Sequence, residues 1–368
     1  MSTVRFAPSP TGEDIHPGNL RIALLNYIYY KQHGGKFILR IEDTANDRVI
    51  EGADKTIIQS LDMPFTDVYY QSANKSDHLA AAKKLMYRNM AYEKDGAIWF
   101  KGYMAAKEFT DNVYGKVVAD EDILRDFVIV RQNGEPSFIL ANIVDDLNEG
   151  VDTVIRGCDH LKNTLRQIGI ANALGYEAPE YYHISLITKN DGKPLSKRDE
   201  GGSIQELLKK GVVRRALDLY LSCLGMKQID SWEELIENFS FSAVKKAPVV
   251  FNIKHLEALN RKLISYEDIK ESHIPEYVWE AVKQHIKYTA DIEKFRYLWE
   301  RPAVVDVDKE ILSLYAVDKD LCMEKYSKRD MFNAVRLAVC GTPYSLDLDL
   351  VKELIGSDEF CERLKRYA

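Results

Sequence analysis

An α/β fold with a parallel sheet, followed by an all-helical C-terminal part, is what this sequence predicts, and three observations predict it. Strand-like and helix-like stretches alternate over residues 3–61, the pattern of a parallel sheet wrapped by helices. A segment of different character, about residues 72–125, interrupts that alternation before strands resume. Beyond Arg198 helical spacing takes over almost to the end.

The first strand ends abruptly. Its apolar run, Val4 to Ala7, stops at Pro8 and Pro10, which cannot extend a ladder, and Gly12 and Gly18 let the backbone approach a ligand closely, with His16 between them. A helix follows, in which Leu20, Ala23, Leu24, Tyr27 and Ile28 recur as one buried face while Arg21, Asn26 and Lys31 fall elsewhere, until Gly34-Gly35 ends the run. Strand, glycine-bearing loop and helix in that order aim unpaired N–H groups and the positive helix end at the loop, where phosphate can be held. Taken alone, a His-x-Gly triplet is better read as an exposed turn; its attachment to this loop is what favours a ligand site.

Phe37 to Glu42 reads as the second strand and Val49 to Leu61 as the second helix. The interposed segment holds a charged helical piece, AAAKKLMYRNMAY, and a mixed stretch with Gly96, Gly102 and Gly115. Asp126 to Arg131 then reads as a strand leading to a turn at Asn133-Gly134. Val151 to Arg156 and His183 to Thr188 are further strands, separated by a helix around Leu161 to Leu174. Ser203 to Lys210, Arg214 to Leu224, Ser231 to Asn238 and Ile253 to Leu263 show helical spacing, and the polar, tyrosine-rich part from about Ser265 is expected to be a separate helical domain.

Composition narrows the function classes. With 368 residues, 46% apolar and 29% charged, the chain has room for two or three globular domains. No apolar run approaches a membrane span and no export signal is visible, so a cytoplasmic location is expected. The five cysteines are scattered without C-x-x-C or histidine spacing, which leaves no zinc site or disulfide framework and no expected metal ligands. A net charge of −7 argues against indiscriminate nucleic-acid binding but not against a local basic face, such as Lys209-Lys210 with Arg214-Arg215 or Lys254 with Arg261-Lys262.

The second informative loop is Asp191 to Arg198, DGKPLSKR. Two lysines and an arginine on a glycine-containing loop after a strand can close over a triphosphate, and Lys197 is the candidate ammonium for charge growing on a departing pyrophosphate. As a bare charge cluster it is a basic surface turn.

Together these stretches resemble the class I glutamyl-tRNA synthetases. Arg5 to Gly12 (RFAPSPTG), His16-Pro17-Gly18-Asn19 and Arg40 to Thr44 (RIEDT) are similar to that family's N-terminal signature, and Leu195-Ser196-Lys197-Arg198 to its second, lysine-bearing loop. The chain departs from the pattern in a longer gap between Gly12 and His16, and in Pro17, Pro194, Phe138 and Cys158. The resemblance implies a Rossmann-like catalytic domain over residues 1–200, its insertion at about 72–125 serving the tRNA acceptor end, a stem-contact helical region at 201–265, and a shortened anticodon-binding domain at 266–368. Phe251 to Asn260 and Ala334 to Gly341 resemble late segments of that family.

The implied activity is ATP-dependent activation of glutamate and its transfer to the 3′ end of tRNA-Glu, with Mg²⁺ accompanying ATP. Alternatives are glutamylation of tRNA-Gln by a misacylating paralogue, or a degenerate tRNA-binding protein. A long helical tail argues against a short tRNA-modifying paralogue. His16 and Lys197 are the implied catalytic residues. ATP would be held by His16, Gly18, Asn19, Lys193, Ser196, Lys197 and Arg198. Glutamate offers two carboxylates and one ammonium, so its pocket needs arginines and a carboxylate. Arg5, Arg156 and Glu42 are the matching trio, with Ser9, Phe138 and Asn142 beside them. Arg156 in V-I-R-G implies glutamate rather than glutamine. The expected partners are tRNA and glutamate, with no membrane, and a monomer is the expected state.

Overall fold

The computed structural model describes residues 1–12, 14–44, 49–270 and 273–367. Its contacts divide the chain into two units: residues 1–209 with 214–256, and 210–213 with 257–368. The division falls inside the Ile253–Leu263 helix.

The larger unit is built on a five-stranded, all-parallel sheet in the spatial order Glu180–Ile184, Thr153–Gly157, Ser2–Phe6, Gly35–Ile41, Asp67–Tyr70. The chain builds outward from the first strand in one direction, then returns to add Thr153–Gly157 on its other side. Ser2–Phe6 and Thr153–Gly157 therefore flank a switch point, and a crevice opens at their C-terminal ends. The central strands are enclosed on both faces, as parallel strands require: Val4, Ile38, Val154 and Ile155 are fully buried.

Several elements differ from the sequence reading. Asp67–Tyr70 is an edge strand that the reading did not include; it is four residues long, with Val68 and Tyr70 exposed. The second helix begins only at Ala53, because Gly52 at its N-terminus has φ +79°, outside the helical region. Phe127–Val130 is a strand, yet it pairs with Ala97–Phe100 and so completes the antiparallel sheet of the interposed segment instead of joining the parallel one. His183 to Thr188 is two strands: the first closes the parallel sheet, while Ile187–Thr188 pairs with Val249–Val250.

The Pro17–His33 helix is buried on more than one side. Leu20, Ala23, Leu24 and Ile28 are enclosed as expected, but so are Arg21 and Asn26, which the periodicity assigned elsewhere. The helix packs on the sheet through Ser2–Phe6 and Thr153–Gly157 and is covered by the Arg214–Ser222 and Trp232–Asn238 helices. Each polar side chain is accommodated by carbonyls: Asn26 donates to Ile155, and Arg21 to Ser185 and Leu224.

A buried charge cluster ties the sheet to the Phe138–Asn148 helix. The Arg40 guanidinium, fully enclosed, donates to Asp146 at 2.6 Å and to Glu149 at 2.7 Å, and Asp146 also accepts from Arg5 Nε at 3.0 Å. Burial alone would raise the Asp146 carboxyl, but Arg5 and Arg40 outweigh it and hold it below its ordinary value.

The smaller unit is helical, including Glu276–Val282, Lys309–Val317, Lys319–Lys325, Lys328–Cys340, Leu348–Ile355 and Ser357–Lys365. Asp308, Asp318, Ser327 and Asp347 cap four of these by accepting from first-turn N–H groups. Arg363 donates to the carbonyls of Tyr297 and Val339, joining the last helix to two others from the inside. No helix among the described residues is long and apolar enough to cross a membrane.

Arg40→Met leaves Glu149 buried without its cation and Asp146 with Arg5 alone. It is expected to destabilise the larger unit by about 3 kcal/mol or more, read as a lower urea midpoint; an unchanged midpoint would show that the cluster contributes nothing net.

Candidate active site

Loop geometry at the first strand is set by the histidine. His16 is the N-cap of the Pro17–His33 helix: its Nδ1 accepts from Gly18 N–H at 3.0 Å, and Pro17 occupies the first turn, where no N–H is needed. Its Nε2 lies 2.8 Å from the Leu195 carbonyl, which only accepts, so Nε2 carries the proton and the ring is neutral. Burial lowers its pKa, the Leu195 bond opposing. Of the longer gap before His16, Glu13 lies outside the described residues.

A cavity of about 480 Å³ opens at the switch point. Arg5, Ser9, His16, Gly18, Asn19, Glu42, Phe138, Asn142 and Arg156 all line it. The sequence reading drew these from segments scattered along the chain, and the sheet brings them to one place. Arg5 and Phe6 come from the end of one central strand, Ile155 to Gly157 from the end of its neighbour, and Phe138 and Asn142 from the helix across the crevice.

The four residues of the basic loop are elsewhere. Lys193, Ser196, Lys197 and Arg198 do not line this cavity. Lys193 is exposed and lies 3.9 Å from Asp191, Ser196 donates to Asp199 through both N–H and Oγ, and Arg198 is exposed. Lys197 Nζ donates to the Asp14 carbonyl at 2.6 Å and lines a smaller cavity of about 90 Å³ that shares Ser9, Thr11 and Asn19 with the larger one. The loop's contribution to the main cavity is Pro194 and Leu195.

Charge inside the cavity is unevenly paired. Arg5 is bound to Asp146. Arg156 is buried, and among the described residues no carboxylate lies within ion-pair distance of it; its partners are neutral. Nη2 donates to Thr164 Oγ1 and Gln167 Oε1, both at 2.7 Å, Nε donates to His183 Nε2 at 3.3 Å, and Nη1 has only a 3.4 Å contact with Asn142 Oδ1. Burial pulls the guanidinium down to about 10, which leaves it cationic at neutral pH. Arg21, also lining the cavity and without a carboxylate partner among the described residues, is lowered to about 10 for the same reason, and its Nε has no hydrogen-bond partner.

Glu42 supplies the opposite sign. Its Oε1 accepts from Asn142 Nδ2 at 2.6 Å, and burial raises its pKa against the pull of Arg40 and Asn142. The Asn142 amide is thereby oriented, its oxygen accepting from Gln167 Nε2 at 2.9 Å. The cavity thus offers an anion-seeking guanidinium and a cation-seeking carboxylate joined by one amide.

The sequence reading did not single out Arg21, His160, Thr164, Gln167 or Asp111, and it noted His183 only as a strand residue. His160 lines the cavity with its ring 5.1 Å from that of Phe138, and burial and then Arg156 lower its pKa to about 4. Thr164 and Gln167 lie on the Leu161–Leu174 helix three residues apart, a spacing that puts both on one face, and both accept from Arg156.

The family described as tRNA synthetases class I (E and Q), catalytic domain, matches residues 2–98 and 93–261. The glutamate–tRNA ligase 2 of Neorickettsia sennetsu is 31% identical to the chain, with 98% of each covered. That of Helicobacter pylori is 33% identical, covering 99% of this chain and 90% of its own. In fold, the chain is similar to the crystal structure of a glutamate tRNA ligase from Elizabethkingia meningosepticum in complex with its amino acid, with a TM-score of 0.81, 23% identity, and 100% and 99% of the two chains covered. On the family match and on relatives that align along nearly its whole length, the chain belongs to the class I tRNA synthetases of the E and Q type.

Proposed function

We propose that the protein is a glutamate–tRNA ligase, activating glutamate with ATP and passing it to tRNA. The observation that carries this is Arg156: a buried cation at the cavity wall, held by neutral acceptors, with Nη1 the least engaged of its nitrogens. A ligand ending in a carboxylate supplies the missing counter-charge, whereas the neutral amide of glutamine does not. Glu42, beside Asn142, is the complementary partner for the amino acid's ammonium. The curated relatives carry the name glutamate–tRNA ligase over nearly the same length, which supports the same reading.

Chemically the site has little proton transfer to perform. The α-carboxylate of glutamate attacks the α-phosphorus of ATP, the bond to pyrophosphate breaks, and a terminal ribose hydroxyl of tRNA then attacks the acyl carbon, releasing AMP. Positioning and charge stabilisation are the protein's work. Gly18 and Asn19, at the positive end of the Pro17–His33 helix, with neutral His16 as an Nε2–H donor, are the proposed phosphate and nucleotide contacts. Lys197 and, with it, Lys193, Ser196 and Arg198 reach the nucleotide by movement of their loop, Lys197 exchanging the Asp14 carbonyl for a phosphate oxygen. Mg²⁺ would arrive on the triphosphate; among the described residues no group of three His, Cys, Asp or Glu side chains could hold a metal ion. The segment around residues 72–125 would meet the acceptor end and the helical unit the anticodon, in a cytoplasmic monomer.

ATP–pyrophosphate exchange and charging, run with glutamate or glutamine and with purified tRNA-Glu or tRNA-Gln, test the reading. Glutamate-dependent turnover with either tRNA supports it and identifies the acceptor; turnover with glutamine alone, or none, overturns it. Arg156→Ala is expected to raise the KM for glutamate about a hundredfold, from the cost of removing one member of a desolvated charge pair, with the KM for ATP little changed. Equal losses for both would make the arginine structural. Lys197→Ala should lower adenylate formation about a hundredfold, the typical effect of removing one transition-state charge donor, with tRNA affinity retained; normal single-turnover rates would refute its role.

A further inference from the structure

Behind Arg156 lies a second layer of buried polar groups reaching out of the sheet into the interposed segment. Arg156 and His183 are register partners on adjacent parallel strands, so their side chains emerge side by side on one face. His183 is fully buried; its Nδ1 is 2.7 Å from Asp111 Oδ2 and its Nε2 faces Arg156 Nε at 3.3 Å and Thr164 Oγ1 at 3.1 Å. Asp111, itself 1% exposed, ends the Glu108–Asp111 strand of a hairpin with Gly115–Val118.

The proton on His183 follows from its neighbours. A carboxylate accepts, so Nδ1 carries the hydrogen; a guanidinium Nε–H donates, so Nε2 must present its lone pair. Asp111 is itself held. Its Oδ1 accepts from Val113 and Tyr114 N–H at 2.9 and 2.7 Å, Oδ2 takes the His183 ring proton and also accepts from His183 N–H at 3.1 Å, and Asn112 N–H bonds the Tyr181 carbonyl. The hairpin therefore docks on the edge of the sheet and fixes the carboxylate there.

We propose that Asp111 is a positioning residue for the amino-acid pocket: by holding His183 in its Nδ1–H form it keeps Nε2 an acceptor for Arg156 Nε, and so leaves Nη1 for the substrate's side-chain carboxylate. This rests on the assignment of Arg156 to glutamate. Were His183 to carry its proton on Nε2, two donors would face each other and the guanidinium would swing away from the direction that Thr164 and Gln167 also enforce. The effect reaches the ligand through two side chains, without Asp111 touching it.

Asp111→Asn keeps an oxygen for the Val113 and Tyr114 N–H groups but turns an amide toward His183. Its expected result is a KM for glutamate raised about tenfold, the usual scale for a hydrogen bond to a charged group, with the KM for ATP little changed and the urea midpoint lowered, because the same amide nitrogen also faces the buried His183 N–H. In a His183→Gln background, whose own glutamate KM is also raised, Asp111→Asn should add less than about a twofold effect, as coupled residues do not add. Full additivity, or an unchanged glutamate KM in Asp111→Asn, overturns the proposal. Nitrogen-15 spectra of histidine-labelled wild-type protein provide a check that needs no variant: His183 should show a protonated Nδ1 and a bare Nε2, and the opposite pattern sinks the idea. Arg156→Ala separates the two levels, since loss of glutamate selectivity there with a silent Asp111→Asn removes only the positioning role. An Arg156→Ala protein that still prefers glutamate removes the parent reading.

Discussion

Burying a guanidinium without a carboxylate beside it is the constraint on which the cavity depends. A cation taken out of water needs compensation from charge or from several well-placed acceptors. Arg156 receives the second kind: a threonine hydroxyl, an amide oxygen and an imidazole nitrogen. Arg5 and Arg40, a few residues away in space, receive the first kind from Asp146 and Glu149. The contrast separates a cluster that is complete within the protein from a cation whose counter-charge comes from a ligand. Asn142 joins the two polarities, because its amide is read by Glu42 on one side and by Gln167 on the other and can present only one orientation.

Topology explains why that cavity sits where it does. In a sheet that grows first to one side and then to the other, the two central strands are followed by chain leaving in opposite directions, and nothing fills the space beyond their ends. Ser2–Phe6 and Thr153–Gly157 are those strands here. Pro8 and Pro10 stop the first from extending, and His16, by capping the next helix, turns the positive end of that helix toward the same space. A single side chain thereby serves local helix formation and faces the cavity, so its substitution will disturb both.

What was legible in the sequence was local. Strand, loop and helix around His16, the V-I-R-G strand and the basic loop each show themselves within a dozen residues, and the sheet then gathers their side chains without further information. What was not legible depends on packing from two sides or on distant partners. Arg21 and Asn26 fall outside the apolar pattern and are nonetheless buried, Asn26 against the sheet, where the Ile155 carbonyl accepts from it, and Arg21 between the Ser185 and Leu224 carbonyls. Asp67–Tyr70, half exposed at the sheet edge, is too short for its residues, Val68 to Tyr70, to announce a strand. Phe127–Val130 has the composition of a central strand and says nothing about which sheet it joins. Asp111 and His183 are 72 residues apart, and no periodicity links them.

The basic loop shows a different limit. Its residue types speak of phosphate, yet Lys197 and His16 are both engaged by carbonyls, Lys197 by Asp14 and His16 by Leu195, so that each loop satisfies a donor of the other. These are the donors assigned to the nucleotide. A neutral carbonyl is a weaker acceptor for an ammonium than a phosphate oxygen, whose negative charge adds a Coulomb attraction. Exchanging Asp14 for phosphate therefore favours the ligand, while the existing bond spares Lys197 from standing unpaired. The neutral form of His16 suits the same exchange: with Nδ1 occupied by Gly18 N–H, only Nε2–H is free to turn from Leu195 to a phosphate oxygen, and it does so as a donor without first gaining a proton.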